Sequence, residues 1–200
     1  IVGVAGPSGS GKNSLITEML RRFPQLYFPV SCTTRSLREG EIDGKHYHQK
    51  SRLLFARMVV DKKFAEHAEV HGELYGTLWT ELDHPHVILD ADCQGIRRLK
   101  KEVPKLKSVF ILPPSCSELE RRLIERREQD IAIRLKNAAE EIQRASEFDF
   151  WIENNDFAKA ANTLAQLICT FGIGGMLNPM VCRDGGLLTR VQGTFLAQSA

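Results

Sequence analysis

The stretch "GPSGSGKNS", Gly6 to Ser14, sets glycines at short intervals ahead of one lysine. Glycines at such spacing let the backbone turn successive N–H groups inward, and a helix starting behind them adds its positive dipole end. Lys12 would then reach the outer phosphates of a nucleotide. Gly6, Ser8, Gly9, Ser10, Gly11, Lys12, Asn13 and Ser14 are therefore candidate phosphate-holding residues. Asn13 stands where such loops carry a serine or threonine whose hydroxyl ligates Mg²⁺. A carboxamide oxygen can ligate Mg²⁺, but it stands further from the backbone, and Mg²⁺ demands near-octahedral geometry. Ser14 is turned by about 100° along the helix, so it is an uncertain substitute. Two readings stay open: nucleotide phosphates and water supply most of the metal shell, or the asparagine slows the chemistry.

A second group lies in "SCTTRSLREGEIDGKHY", Ser31 to Tyr47. Arg35, Arg38 and Tyr47 could clamp a phosphate dianion through charge-assisted hydrogen bonds, although arginines at this spacing also occur on solvated faces. In "FAEHAEVHGELYGT", Phe64 to Thr77, a second phenol and a hydroxyl follow at Tyr75 and Thr77, with Glu66 upstream. A carboxylate accepts paired hydrogen bonds from a purine bearing N1–H and an exocyclic amine, the edge that guanine has and adenine lacks. His67 and His71 suggest zinc, but "HAEVH" lacks the glutamate placement of H-E-x-x-H, and on a strand the pair needs a broken register to share a ligand.

Such residues need a scaffold. Apolar runs at Ile1–Ala5, Val87–Leu89 and Ser108–Leu112 are each followed by helix-forming sequence, which predicts a parallel sheet with helices on both faces. Leu15, Ile16, Met19 and Leu20 mark the buried face of a helix opening at Lys12 and ending at Phe23-Pro24. Thr33–Gly76, rich in Gly, Tyr, His and charge, breaks this rhythm and predicts an inserted, mostly antiparallel lobe. Ser115–Glu147 is charged and helix-forming, Phe148–Ile152 a last strand and Asp156–Thr170 a last helix. Beyond Phe171 a nearly uncharged, glycine-punctuated tail is expected to be poorly ordered or loosely docked.

The totals bound the partners. Two hundred residues with a net charge of +2 make one domain with room for an inserted lobe, and give little general attraction to nucleic acid or an anionic membrane. Five cysteines without C-x-x-C spacing favour a reducing, cytoplasmic setting. No apolar run approaches the roughly 18 residues of a membrane span, and the chain opens on a strand instead of a signal sequence. Because it begins at Ile1 without methionine, residues are expected to precede it.

Taken in order, "GPSGSGK", the two stretches above, "ILDADCQG", "FILPPS" with "LERRLIERR", "IRLKNAAEE" and "FDFWIENNDFAKA" resemble the guanylate kinases of the nucleoside monophosphate kinase group, over Val2 to about Leu167. The resemblance implies an α/β P-loop kinase core (1–32 and 77–170), with a lid at about 122–136 and a mixed α+β GMP-binding lobe (33–76). It leaves 171–200 without counterpart. It implies transfer of phosphate from ATP to GMP with Mg²⁺, in a cytoplasmic monomer or homodimer that binds neither nucleic acid nor membrane. Arg35, Arg38, Tyr47 and Tyr75 would hold the GMP phosphate, and Ser31, Glu66, Thr77 and Asp92 would surround guanine. The lid arginines Arg122, Arg126 and Arg134, with Lys12, would meet the transferring phosphoryl group; Asn154 would lie near adenine. Asp90 would hold the metal through water, and Asn13 is its doubtful direct ligand. Asp90 and Asp92 also suit a turn or helix cap.

The chain departs from the family pattern at Asn13, in a shortened stretch between Thr77 and Val87, in a shortened lid "RREQDIAIR", at Glu153 where an apolar residue is usual, and in its tail. Two alternatives follow. One is a catalytically silent guanylate-kinase-like binding module; the other is an enzyme resembling ribose 1,5-bisphosphate phosphokinases, which carry aspartate at the place of Asn13 but need no arrangement of Glu66, Tyr47 and Tyr75 for GMP.

Overall fold

The computed structural model describes residues 1–70, 72–173 and 185–196. Strand β1 (Val2–Ala5) is buried throughout and runs through the glycine loop into α1 (Lys12–Arg22). The buried face of α1 is Leu15, Ile16 and Met19. Next come β2 (Cys32–Thr33), β3 (His48–Gln49), α2 (Arg52–Val60), β4 (Phe64–Val70) and β5 (Glu73–Leu78). A 3₁₀ turn at Trp79–Leu82 leads to β6 (Ile88–Asp90), α3 (Cys93–Glu102), β7 (Lys107–Leu112), α4 (Cys116–Glu125), α5 (Ile131–Gln143), β8 (Phe150–Glu153), α6 (Phe157–Thr170) and α7 (Gly185–Leu196).

The first sheet has the order β6-β1-β7-β8, every pair parallel. Its strands are short apolar runs because both faces are covered. One core packs Ile96, Leu99, Leu119, Leu123 and Ile142 from α3, α4 and α5 against one face; the other packs Leu15, Met19, Leu164 and Ile168 from α1 and α6 against the opposite face. Each such side chain contributes about 1.5–3 kcal/mol by leaving water. Loops at the carboxyl ends of parallel strands border the ligand crevice in open α/β sheets. The glycine loop after β1, Asp90 at the end of β6 and Asn154 just after β8 occupy such positions.

The second sheet, β3-β2-β5-β4, is antiparallel at β2–β5 and β4–β5 but parallel at β2–β3, so it is less uniformly antiparallel than the sequence suggests. It has its own small core, where Phe55 stacks on Phe64 at 4.3 Å beside the buried Cys32. Phe55 belongs to α2, which the sequence reading left unassigned. Its apolar periodicity is weak, since Leu53 and Val60 are exposed; Ser51 caps it by accepting a hydrogen bond from Leu54 N at 3.2 Å.

The expectation of a loose tail fails where the structure describes it. α7 docks with Leu188, Val191 and Phe195 buried in the core shared by α3, α4 and α5. Glycines hid this helix from a propensity reading, and tertiary burial overrides propensity. The rest of the tail, 174–184 and 197–200, lies outside the described residues, as does His71. Among the described residues, no helix is long and apolar enough to cross a membrane.

Candidate active site

The glycine loop is folded by local necessity. Gly9 and Gly11 both have φ of +87°, which side-chain-bearing residues rarely adopt. A Cβ on Gly9 would sit 2.8 Å from Leu119 Cδ1, and one on Gly11 would strike the Asn154 amide nitrogen. That amide donates to Ser10 O at 2.7 Å, and Asn154 N donates to Leu112 O at 2.8 Å, so a buried asparagine buttresses the loop from behind. Ser10 Oγ is buried without a partner, a costly state inside a loop of inward-facing amides. An oxygen-rich ligand in the loop fits that vacant donor.

Two cavities flank the loop. The larger, about 510 Å³, is lined by Lys12, Asn13, Ser31, Tyr47, Tyr75 and Asp92, and by four further acids, Glu41, Glu66, Asp90 and Glu141. Glu66 is 7% exposed. Thr77 Oγ1 donates to its Oε1 at 2.7 Å, and Ser31 Oγ lies 3.2 Å from the same hydroxyl. Burial pushes the Glu66 carboxyl up to about 7, with Asp92 and Asp90 adding repulsion against the hydrogen bonds from Thr77. Gly95 permits this packing, since a Cβ there would lie 2.7 Å from Glu66 Oε2. Asp92 caps α3, accepting from Gly95 N at 2.7 Å, and also lines the cavity.

Lys12 Nζ pairs with Asp90 at 2.6 Å and lies 3.4 Å from Asn13 Oδ1. Asn13 faces the larger cavity and Ser14 the smaller, as the helical turn between them requires, so Ser14 does not stand in for Asn13. Glu141 is an acid that sequence reasoning missed. Its carboxyl is raised to about 7 by burial, which outweighs Lys12, with Asp92 and Asp90 reinforcing it. The signal was available as the second glutamate of "NAAEE", but only the turn of α5 says which of the two faces inward.

The expected two-arginine clamp is not assembled. Arg35 Nε donates to Tyr75 OH at 3.3 Å, and its guanidinium carbon lies 5.4 Å from the centre of the Tyr47 ring. Its Nη2 meets both oxygens of Glu41, at 3.0 and 2.9 Å. Arg38 is exposed and its backbone N donates to the same carboxylate at 2.7 Å; neither arginine is among the residues lining the cavity. Glu41, unremarked in the sequence reading, thus ties together the loop that carries both arginines, and the Arg38 N–H together with the Arg35 charge hold its carboxyl below the usual range.

The smaller cavity, about 340 Å³, is lined by Gly9, Gly11, Ser14, Arg122, Arg126 and Asn154, with Phe157 at its edge. Arg122 donates to Asn154 O at 2.8 Å and to Glu118 at 2.9 Å. Arg134 reaches Ser8 Oγ of the glycine loop at 3.3 Å and pairs with Glu128 at 2.9 Å. Arg134 of α5 thus touches the glycine loop, while Arg122 of α4 and Arg126 just after it line the adjoining cavity. His67 takes up Arg98, whose Nη1 donates to its carbonyl at 2.9 Å. Among the described residues, no group of three or more His, Cys, Asp or Glu could hold a metal ion.

A glycine loop with its lysine at the carboxyl edge of a parallel sheet, flanked by one acid-lined and one arginine-lined cavity, defines a phosphate-loop kinase fold. The guanylate kinase family model matches residues 1–170, and the chain belongs to the guanylate kinase family. It is 45% identical over 170 residues to a guanylate kinase of Vibrio parahaemolyticus, covering 78% of this chain and 81% of the relative. It is 39% identical over 199 residues to a guanylate kinase of Carboxydothermus hydrogenoformans, covering 95% and 98%. The crystal structure of guanylate kinase from Anaplasma phagocytophilum superposes with a TM-score of 0.69 at 31% identity, over 85% of this chain and 84% of that one.

Proposed function

We infer that the protein transfers the terminal phosphoryl group of ATP to GMP, giving ADP and GDP. The observation that carries this reading is Glu66, buried, accepting from the buried Thr77 and sharing with Ser31 a cavity that also contains Lys12 of the glycine loop. An ionised Glu66 can accept from both N1–H and the amine of guanine. Tyr47, Tyr75 and Arg35, with Arg38 brought in from solvent, hold the GMP phosphate, and Asp92 borders the base. The smaller cavity takes the ATP side, with Asn154 behind it. Neither the silent binding module nor the sugar-bisphosphate kinase is favoured by the relatives.

The phosphate oxygen of GMP attacks in line, so positioning and charge neutralisation carry the catalysis. Lys12 leaves Asp90 for the outer ATP phosphates. Arg122, Arg126 and Arg134, on a lid of about residues 122–136, meet the charge spread over the transferred group and exclude water. The hard oxygen donors available, Asn13 Oδ1 and Asp90, fit a Mg²⁺ that keeps most of its shell on phosphates and water. Asn13, and Asp90 through water, are the residues that would hold it. When bound there, Mg²⁺ would supply charge to offset that of the phosphates. The buried free thiols Cys32, Cys93, Cys116 and Cys169 support a reducing cytoplasmic setting.

A coupled assay of ADP formation with GMP, AMP, CMP and ribose 1,5-bisphosphate as separate acceptors tests the reading. Turnover with GMP alone is expected. Binding of GMP without turnover would establish the silent module, and turnover with the sugar bisphosphate alone the other alternative.

A further inference from the structure

Glu153, at the end of β8, and the chain beyond Thr170 meet in one contact. Arg190 Nη2 of α7 pairs with Glu153 Oε2 at 2.7 Å. Two residues on, Gln192 Nε2 donates at 3.1 Å to Ile142 O, a carbonyl of the last turn of α5 that also receives the backbone N–H of Arg144. Between them Val191 is fully buried, with Leu188 and Phe195 beside it, against the α4–α5 pair.

Each end of this contact leads to the active site. Glu153 ends β8 and immediately precedes Asn154, whose amide supports the glycine loop at Ser10 and whose carbonyl receives Arg122. Ile142 is next to Glu141 of the larger cavity, on the helix whose first turns carry Arg134 to Ser8. We propose that α7 is a brace that fixes α5 to the end of β8, with Arg190, Gln192 and Glu153 as positioning residues for the phosphoryl-transfer arginines. They act through α5 and Asn154 and touch no substrate. Arg134 already reaches the glycine loop with the brace docked, so the brace favours the arrangement that transfers phosphate.

This inference rests on the kinase reading, and its test separates the two. Steady-state kinetics, amide hydrogen exchange of residues 131–143 and thermal melting are measured on the full chain as wild type, R190E, E153R, the R190E/E153R double variant, and V191D. The pair is partly exposed, so breaking it shifts the docked state by about twofold to fivefold. R190E and E153R are expected to lower kcat by about that factor and to speed exchange in α5, while GMP binding without ATP holds steady. The double variant, which restores opposite charges, is expected to recover both. V191D undocks α7 and is expected to do more. Should V191D fail to fold, the charge swap still decides, since Arg190 and Glu153 are not core side chains. Unchanged kcat and unchanged α5 exchange with a lowered melting temperature, or a rise in kcat, would overturn the brace. Absence of GMP turnover in the wild type would overturn the kinase reading, and α5 exchange would still report on the brace.

Discussion

The two cavities beside the glycine loop are built from different materials. The larger is walled by side chains, with Glu41, Glu66, Asp90, Asp92 and Glu141 beside Lys12 and Lys45, and Glu66 and Glu141 are pushed up to about 7. The smaller is walled by glycine backbone, a buttressing asparagine and arginines reaching in from α4. Buried, costly carboxylates discriminate because a ligand lacking the matching N–H donors leaves them unpaired. Backbone amides and solvated arginines neutralise phosphate while reading little of the base. On the proposed assignment, selectivity sits on the acceptor side and charge handling on the donor side.

The largest expected break in that division is Lys12→Met. It removes the cation nearest the transferring group, so kcat should fall by about 10²–10³, while GMP, held in the acceptor cavity, binds nearly as before. Titration calorimetry with GMP beside single-turnover kinetics checks it. A matching loss of GMP affinity would show that the Lys12–Asp90 pair supports the acceptor cavity itself.

Next comes the unequal pair of arginines. Arg35 is packed against Tyr47 and Tyr75, whereas Arg38 is exposed. Losing a charged hydrogen-bonding group at a phosphate costs about 1.5–3 kcal/mol, so Arg35→Ala should raise the KM for GMP by about 10- to 150-fold, with Arg38→Ala smaller and Arg38→Lys partly restoring it. Equal effects in the two alanine variants would mean that Arg38 closes fully on GMP and shares the phosphate evenly.

Glu66 links selectivity to pH. With its folded value raised to about 7 from 4.5, its protonated form stabilises the fold fully below pH 4.5, and that contribution is lost as pH rises through 7. Glu66→Gln should therefore be more stable than the wild type at pH 8, by as much as about 3 kcal/mol, and no more stable near pH 4. The same change should weaken GMP by about 1–3 kcal/mol and leave ATP untouched. It should also remove the loss of GMP affinity expected of the wild type below pH 7, where Glu66 takes up a proton. Denaturant melts and GMP titrations across pH 5–8 read both; parallel loss of GMP and ATP would make Glu66 a support of the fold.

What could be read in the chain, and what could not, divides along the same line. The glycine loop, Glu66, Tyr47, Tyr75 and the parallel strands carry their chemistry in residue type and local spacing. Glu141 and Glu41 do not, because a glutamate on a charged helix or loop looks solvated until the fold decides which way it faces. Arg38 is legible as a charge but not in its position: its spacing from Arg35 suggests a shared clamp, while in the fold its side chain is exposed and Glu41 holds only its backbone N–H. α2 and α7 lacked clear signals because one has exposed leucine and valine and the other is interrupted by glycine, so only packing defines them.

The finest test of the comparison is Asn13, which lies on the loop that separates the cavities. Its Oδ1 is 3.4 Å from Lys12 Nζ and its side chain faces the acceptor cavity, while Ser14 faces the donor side and cannot deputise. Asn13→Ser exchanges a carboxamide oxygen for a hydroxyl closer to the backbone, the donor suited to a small octahedral cation. If the carboxamide holds Mg²⁺ off its best position, the serine variant should raise kcat by up to about tenfold, or about 1.4 kcal/mol of transition-state stabilisation, and reach half-maximal rate at lower Mg²⁺. GMP affinity, on the proposed assignment set by Glu66 and the Tyr47–Arg35–Tyr75 group, should stay constant. A changed GMP affinity with constant kcat would place Asn13 among the acceptor-side residues, and an unchanged kcat and Mg²⁺ dependence would show that phosphates and water complete the metal shell without it.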